Sequence, residues 1–136
     1  MILDLAAVVS GGAFGALLRF GLIHRAETRA NPKREPWDAP ARATLLANTA
    51  GCAVFGLWVA AVRSGGLGAD LDPAVAGALD LFVLTGVCGG WTTFSTIVGD
   101  GFRLTEERGR GSALGYAATT LVLGTLALWA GSRLGG

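Results

Sequence analysis

The 136-residue chain is poor in charge, histidine and cysteine, and each scarcity excludes a class of protein. Only 15% of the residues are charged and the net charge is +1, so the composition predicts no nucleic-acid partner. The single histidine, His24, stands without a cysteine–histidine cluster, which leaves no zinc signature. Cys52 and Cys88 both lie inside apolar runs, which indicates small packing residues rather than a disulfide bridge.

Catalytic motifs are equally scarce. A Ser/His/Asp or Cys/His set needs a histidine within the folded core, whereas His24 lies in a predicted loop. The phosphate-binding pattern GxxxxGK[ST] is absent, and GVCGG lacks the spacing of a dinucleotide-binding loop. The sequence therefore predicts a protein that is not an enzyme.

Apolar residues and glycine are abundant instead. The chain is 51% hydrophobic and contains 22 glycines, a composition that suits close-packed membrane helices. A membrane helix needs about 20 apolar residues, and the sequence predicts an all-α membrane protein with one four-span domain, 1–136. The first run begins apolar at once and carries Asp4 in place of a basic segment, which predicts a retained span rather than a cleaved signal peptide. The predicted spans are 2–23, 43–62, 73–98 and 113–134.

Basic residues lie mainly in two connecting loops, 24–42 and 99–112, which face the same side of the membrane. These loops carry eight basic residues, whereas the opposite side carries only Arg63 and Arg133. The positive-inside rule then predicts that both loops are cytoplasmic and both termini are outside. The proline-rich first loop also predicts a short interfacial segment around Trp37. The eight basic residues are Arg25, Arg29, Lys33, Arg34, Arg42, Arg103, Arg108 and Arg110.

The third apolar run is interrupted where a membrane helix should be most uniform. Residues 85–96 contain three glycines, four threonines and one serine. Each glycine of the pair Gly89-Gly90 costs a helix about 1 kcal/mol relative to alanine, so the sequence predicts a break at this pair. Non-helical backbone at membrane depth is tolerated only where it is buried in protein or lines a polar cavity. Two interpretations remain: a site that handles an ion or polar substrate, or a packing surface of small residues.

Two polar side chains within the first two spans admit two interpretations each. Arg19 either sets the electrostatic potential of an anion vestibule or snorkels to the interface and anchors its helix. Asn48 offers amide donors that can replace water around an anion, and the alternative is that it joins two helices.

Hydroxyl groups and one aromatic ring follow the predicted break. Thr92, Thr93, Ser95 and Thr96 supply donors without charge, and the alternative is that they bond back to their own helix. The positive edge of the Phe94 ring can meet an anion, although a phenylalanine in a membrane helix is usually a packing residue.

The fourth span carries Tyr116 and Thr120 on one face, where they either line a path or pair across helices. Asp4, Asp80 and Asp100 lie near the ends of spans, where carboxylates are expected to reach water.

Three motifs, taken in order, carry a resemblance to a known family. GGAFGALLRF in the first span, NTAG in the second and GVCGGWTTFST in the third resemble the Fluc/CrcB fluoride ion channels. The resemblance implies a subunit of a fluoride-specific channel that exports fluoride passively and lowers its cytoplasmic concentration. It also implies an antiparallel dimer of the dual-topology type, with two fluoride pores that each draw on both subunits.

The resemblance further implies roles for individual residues. A structural sodium ion at the dimer centre would be held by the backbone carbonyls of Gly89 and Thr92. Arg19 matches the vestibule arginine, and Asp100 stands where many family members have glutamate. The residues implied to line the pore and bind fluoride are Asn48, Thr93, Phe94, Ser95, Thr96, Tyr116 and Thr120.

One position departs from the family pattern. The second pore phenylalanine would fall at position 97, where this chain has Ile97, which has no positive ring edge. Some family members act as paired, non-identical subunits of fixed opposite orientation. The unequal distribution of basic residues fits that arrangement better than a homodimer, so a heterodimer with a homologous subunit is the working hypothesis.

Two other functions compete with a fluoride channel. A small proton-coupled exporter of cationic drugs also has four spans, but it needs a carboxylate deep in the first span, and Asp4 is too near the end. A non-conducting membrane assembly subunit would require packing alone and assigns no task to Asn48 or Phe94.

Overall fold

The membrane-spanning segments are helical because a backbone in lipid must satisfy its own hydrogen bonds. The computed structural model describes residues 1–29, 38–66 and 68–134. Four helical stretches within them are long and apolar enough to cross a membrane, which confirms the four predicted spans. The helices are α1 (Ile2–Arg29), α2 (Asp38–Arg63), α3 (Pro73–Asp80), a π-helical segment (Leu81–Cys88), α4 (Gly89–Trp91), α5 (Phe94–Arg108) and α6 (Arg110–Arg133).

The helices extend beyond the predicted spans at most of their ends. Helix α1 continues six residues past position 23 to Arg29, and α5 continues to Arg108 rather than ending near position 98. Hydropathy marks where a helix leaves lipid and not where the helix ends. A prediction based on hydropathy therefore counts polar helical turns beyond the membrane as loops. Helix α5 ends at Gly109, whose φ of 85° lies in the left-handed region that glycine adopts without strain. The predicted interfacial segment around Trp37 lies outside the described residues.

The third span begins with a capped turn. The Asp72 carboxylate accepts a hydrogen bond of 2.8 Å from the backbone N–H of Ala74, and Pro73 occupies the first helical position. Both features are typical of a helix start, because the first turn has N–H groups without intrahelical acceptors. The span then passes from α3 through the π-helical segment into α4.

The non-helical backbone of this span lies at Thr92 and Thr93. Their φ and ψ angles are −80° and 154°, and −153° and 124°, so both residues are extended. Gly89 and Gly90 are helical, and the prediction of a break at this pair was therefore wrong. A physical reason is visible at Gly90, where a Cβ atom would collide with the carbonyl oxygen of Gly12. The glycine there permits close helix packing rather than an opening of the backbone.

Glycines also bring the other helices into contact. Helix α1 packs mainly on the π-helical segment and on α4, and α2 packs mainly on α6. A Cβ at Gly11 would meet the backbone of Phe82 and lie 3.0 Å from Cα of Gly86. A Cβ at Gly131 would lie 2.8 Å from the carbonyl oxygen of Ala53. Small residues thus hold both helix pairs at a backbone-to-backbone separation, as is common in membrane bundles.

This packing predicts a difference between two glycines of α1. Gly11→Ala should lower the free energy of unfolding by about 1–3 kcal/mol, because a methyl group cannot fit against the π-helical segment. Gly21→Ala should leave stability unchanged or slightly raised, since nothing lies within 4 Å of the added Cβ. Thermal unfolding of the purified protein in detergent measures both. Equal stability of the two variants would contradict the packing argument.

Candidate functional site

Asn48 holds the extended backbone at Thr93. Its side-chain oxygen accepts the Thr93 N–H at 2.8 Å, and its Nδ2 donates to the Thr93 carbonyl oxygen at 3.3 Å. Asn48 is buried, with 6% of its surface exposed. Because Thr93 is not helical, its N–H and carbonyl lack the usual backbone partners of a helix. The Asn48 side chain on α2 supplies these partners instead. Of the two interpretations of Asn48, the structure supports the interhelical bond, and within the described residues one amide hydrogen remains for a further partner.

The hydroxyls around the interruption form a small cluster. The Thr93 hydroxyl lies 3.1 Å from the hydroxyl oxygens of both Ser95 and Thr96, and it accepts the backbone N–H of Thr96 at 3.3 Å. Thr93 thereby caps the start of α5. Of the four hydroxyl residues, Thr92 bonds back to a helical carbonyl, that of Cys88 at 2.8 Å. The cluster thus leaves three hydroxyls grouped at one helix start.

Arg19 is directed toward the same interruption. Its guanidinium donates to the carbonyl oxygen of Thr92 at 3.5 Å, and the side chain is part-buried. This contact ties α1 to the extended backbone and places a positive charge within the bundle. It does not resemble an anchor that extends to the membrane surface.

An open groove of about 700 Å³ joins most of the predicted site residues. Helices α2, α4, α5 and α6 and the extended residues contribute to its wall. Its predicted site residues are Asn48, Gly89, Thr92, Thr93, Phe94 and Thr120, and Ile97 also lines it. Arg19, Ser95, Thr96 and Tyr116 are not among the groove's lining residues.

Phe94 is a strongly exposed aromatic residue of the groove. Seventy-eight per cent of its surface is accessible in the single chain. It follows the extended residues directly, so its ring projects from the first turn of α5. A core packing role within this chain is therefore excluded for Phe94. Cys52 also lines the groove, and both cysteines are free, as predicted.

A second polar unit lies between α5 and α6. The Tyr116 hydroxyl donates to the Asp100 carboxylate at 3.2 Å, and the Thr120 hydroxyl donates to the Tyr116 carbonyl oxygen at 2.9 Å. Asp100 is 5% exposed. The prediction that it reaches water near a span end was wrong, because α5 continues past it and α6 packs over it. Asp4, by contrast, is half exposed and pairs with the N-terminal amine at 2.9 Å.

Two interhelical features were not predicted. Thr44 is 1% exposed, and its hydroxyl has no hydrogen-bond partner among the described residues. Its position one helical turn before Asn48 was the available signal, since residues four apart share a helix face. Trp58 Nε1 donates to the Asp80 carboxylate at 2.7 Å, which joins α2 to the end of α3. Nothing in the sequence pattern singled out this pair.

Comparisons with known proteins agree across nearly the whole chain. A family model described as "CrcB-like protein, Camphor Resistance (CrcB)" matches residues 6–132. A Thermus thermophilus protein named "Fluoride-specific ion channel FluC" is 36% identical over 129 residues, which cover 95% of this chain and 91% of the relative. Relatives of the same name from Agrobacterium fabrum and Pseudomonas fluorescens are 33% and 35% identical over 134 residues each. These alignments cover 98% of this chain, and 97% and 98% of the two relatives.

The two hydrogen bonds between the Asn48 side chain and the Thr93 backbone, here called the Asn48 bracket, predict a specific loss of stability. Asn48→Leu should lower the free energy of unfolding by about 1–3 kcal/mol, because the part-buried N–H and carbonyl of Thr93 lose their partners. Thr125→Val is the matched control, since Thr125 lines the same groove but its hydroxyl bonds only to Leu121 of its own helix. Thermal unfolding in detergent separates the two. Similar midpoints for both variants would show that the bracket contributes nothing to stability.

Proposed function

This chain belongs to the CrcB family, and we propose that it conducts fluoride passively across the membrane as a channel subunit. Its four membrane-spanning helices make it a multi-pass membrane protein. The observation that carries the proposal is the groove, which gathers the Asn48 amide, the Thr93 and Thr120 hydroxyls and the Phe94 ring at membrane depth. Passive flow down the electrochemical gradient would lower cytoplasmic fluoride.

Neutral donors suit the transport of this ion. Fluoride is small and holds its water tightly, so a pore must replace that water yet release the ion at each step. An amide, hydroxyls and an aromatic edge are partial positive charges that can exchange an anion quickly. Within the groove's described lining there is no lysine, arginine or histidine, whose full charge would retain the ion.

We propose that a second subunit in antiparallel orientation completes the pore. The groove is open on one side in the single chain, and the Phe94 ring projects from it. The groove's lining is largely apolar, but the donors within it would find no further partners in lipid, a cost that a second protein surface removes. The residues implied for one pore would then come from both subunits.

A structural sodium ion is proposed at the centre of this pair. The residues fit in kind, because carbonyl oxygens of unwound backbone are suitable ligands for sodium. Their location supports the proposal, since Gly89 and Thr92 line the same groove. Thr92 is extended, whereas Gly89 is helical, but the N–H four residues after Gly89, that of Thr93, donates to Asn48 instead. Two carbonyls of one chain cannot surround a cation, so in this proposal the second chain supplies further carbonyls. The Arg19 contact uses one lone pair of the Thr92 oxygen and leaves the second for the ion.

The partner is proposed to be a homologous but different chain. Ile97 lines the groove where the family pattern has a second phenylalanine, so a pore that uses this position lacks one ring edge. The unequal distribution of basic residues supports one fixed orientation, with both termini outside. A partner of opposite orientation would then complete an antiparallel pair.

Fluoride release from vesicles tests the function and the partner together. The chain reconstituted with a CrcB-family partner of opposite orientation should release trapped fluoride rapidly, and the chain alone should release it slowly. A fluoride electrode follows the release, and chloride release from the same vesicles is the selectivity control. Rapid release by the chain alone would refute the heterodimer but not the channel. No release with any partner would favour the drug exporter or the non-conducting assembly subunit.

The ring-edge argument predicts opposite effects of two substitutions in α5. Phe94→Ile should slow fluoride release about tenfold, which corresponds to roughly 1.4 kcal/mol in the transport barrier. Ile97→Phe should accelerate release through the pore that uses position 97, because it supplies the missing edge. Phe102→Ile is the control, since Phe102 lies on the same helix, is 70% exposed and does not line the groove. Normal fluoride release by Phe94→Ile would remove the ring edge from the mechanism.

A further inference from the structure

A second, smaller pocket lies at the end of the bundle where α2 and α6 begin and α5 ends. Its volume is about 190 Å³. Arg42 from α2 and Arg108 from α5 line it together with Ser112 and Tyr116 from α6, and the rest of the described lining is apolar. Both arginines and Ser112 are exposed, whereas Tyr116 is half-buried. The pocket therefore opens to solvent through two cations and ends at a tyrosine inside the bundle.

Tyr116 connects this pocket to the groove. Its side chain lines the pocket, and its carbonyl oxygen accepts the hydroxyl of Thr120, which lines the groove. Helix α2, which packs against α6, carries Thr44 one helical turn before Asn48. The Thr44 hydroxyl is buried and has no hydrogen-bond partner among the described residues. Polar groups thus continue from the arginine pocket to the groove without a gap of more than one helical turn.

One charge along this connection opposes the passage of an anion. The Asp100 carboxylate is buried and accepts the Tyr116 hydroxyl, so an anion that approaches Tyr116 meets a negative group beside it. Two guanidinium groups at the mouth offset this repulsion, because arginine keeps its charge at any physiological pH. Clefts lined by one sign of charge concentrate counter-ions, by about 10- to 1,000-fold in strong cases.

We propose that Arg42 and Arg108 form an anion-binding mouth that concentrates fluoride at the Tyr116 end of the Tyr116–Thr120 connection. The proposal rests on the proposed channel function and adds a site separate from Arg19, which contacts the extended backbone of the third span. The pocket is below the ~300–1,000 Å³ of sites for organic ligands, which favours a small inorganic ion. A guanidinium has five N–H donors, so the anion can bind beside other partners of each arginine.

The test compares two double variants of equal net charge. Arg42→Gln/Arg108→Gln removes the mouth, and Arg25→Gln/Arg103→Gln removes two exposed arginines of the same two loop regions that do not line the pocket. Sodium fluoride release is measured from vesicles of zwitterionic lipid, with the partner subunit where the channel needs one. At low ionic strength and low fluoride the first variant should release fluoride about 3- to 10-fold more slowly than wild type. The difference should shrink near 1 M ionic strength, where the Debye length falls to about 3 Å.

Three outcomes would overturn the mouth while leaving the channel function intact. They are equal slowing by the two double variants, an unchanged rate in the first variant, and slowing that persists at high ionic strength. A difference that appears only when anionic lipid is added would assign the arginines to a lipid headgroup instead. A wild-type protein that releases no fluoride refutes the proposed function. In that case, anion binding at the mouth is tested separately by the broadening of the ¹⁹F resonance of sodium fluoride in detergent. The broadening should be greater for wild type than for the first variant, and equal broadening would refute the mouth.

Discussion

The structure depends on satisfying two backbone groups at membrane depth. Thr92 and Thr93 leave the helix, and lipid offers nothing to the N–H and carbonyl that Thr93 thereby frees. Asn48 supplies both partners from another helix, and Arg19 donates to the neighbouring carbonyl. An interruption of the third span is therefore possible only while the first two helices pack closely against it. The glycine contacts of α1 with this span serve that condition.

The same bracket explains why polar groups collect at one place. An extended residue turns its neighbours outward, so the hydroxyls of Thr93, Ser95 and Thr96 meet at the start of α5 and the Phe94 ring projects beyond them. Helix α6 adds Thr120 from the opposite wall of the groove. The hydroxyls of a uniform helix bond to carbonyls of that helix, as those of Thr92 and Thr120 do with Cys88 and Tyr116, whereas Thr93, Ser95 and Thr96 bond to one another. The interruption thus converts ordinary membrane-helix residues into a row of neutral donors.

Sequence reasoning located the spans and most of the polar residues that line the groove, because hydropathy and intramembrane polar residues are local signals. It misplaced the interruption, since glycine can either open a helix or permit close packing, and only the neighbouring helix decides which. At Gly90 the backbone of α1 lies so close that only glycine fits, so this glycine serves packing. It also misjudged Asp100, because the distance from a span end does not reveal that α6 covers this carboxylate. Both errors concern contacts between different helices, which a local sequence pattern does not reveal.

The single chain leaves its groove and the polar groups within it uncovered, and this bears on its assembly. Asn48 and Thr120 are buried, yet the groove between them opens beside the exposed Phe94 ring. Lipid tails provide no hydrogen bonds, so the few polar groups of this largely apolar groove must find partners within the chain, on a second protein surface or in water. Water would let many ions pass, whereas a matched protein surface would confine the path to the donors themselves. In the proposed channel, the second subunit would therefore contribute to selectivity for one small anion together with the residues of this chain.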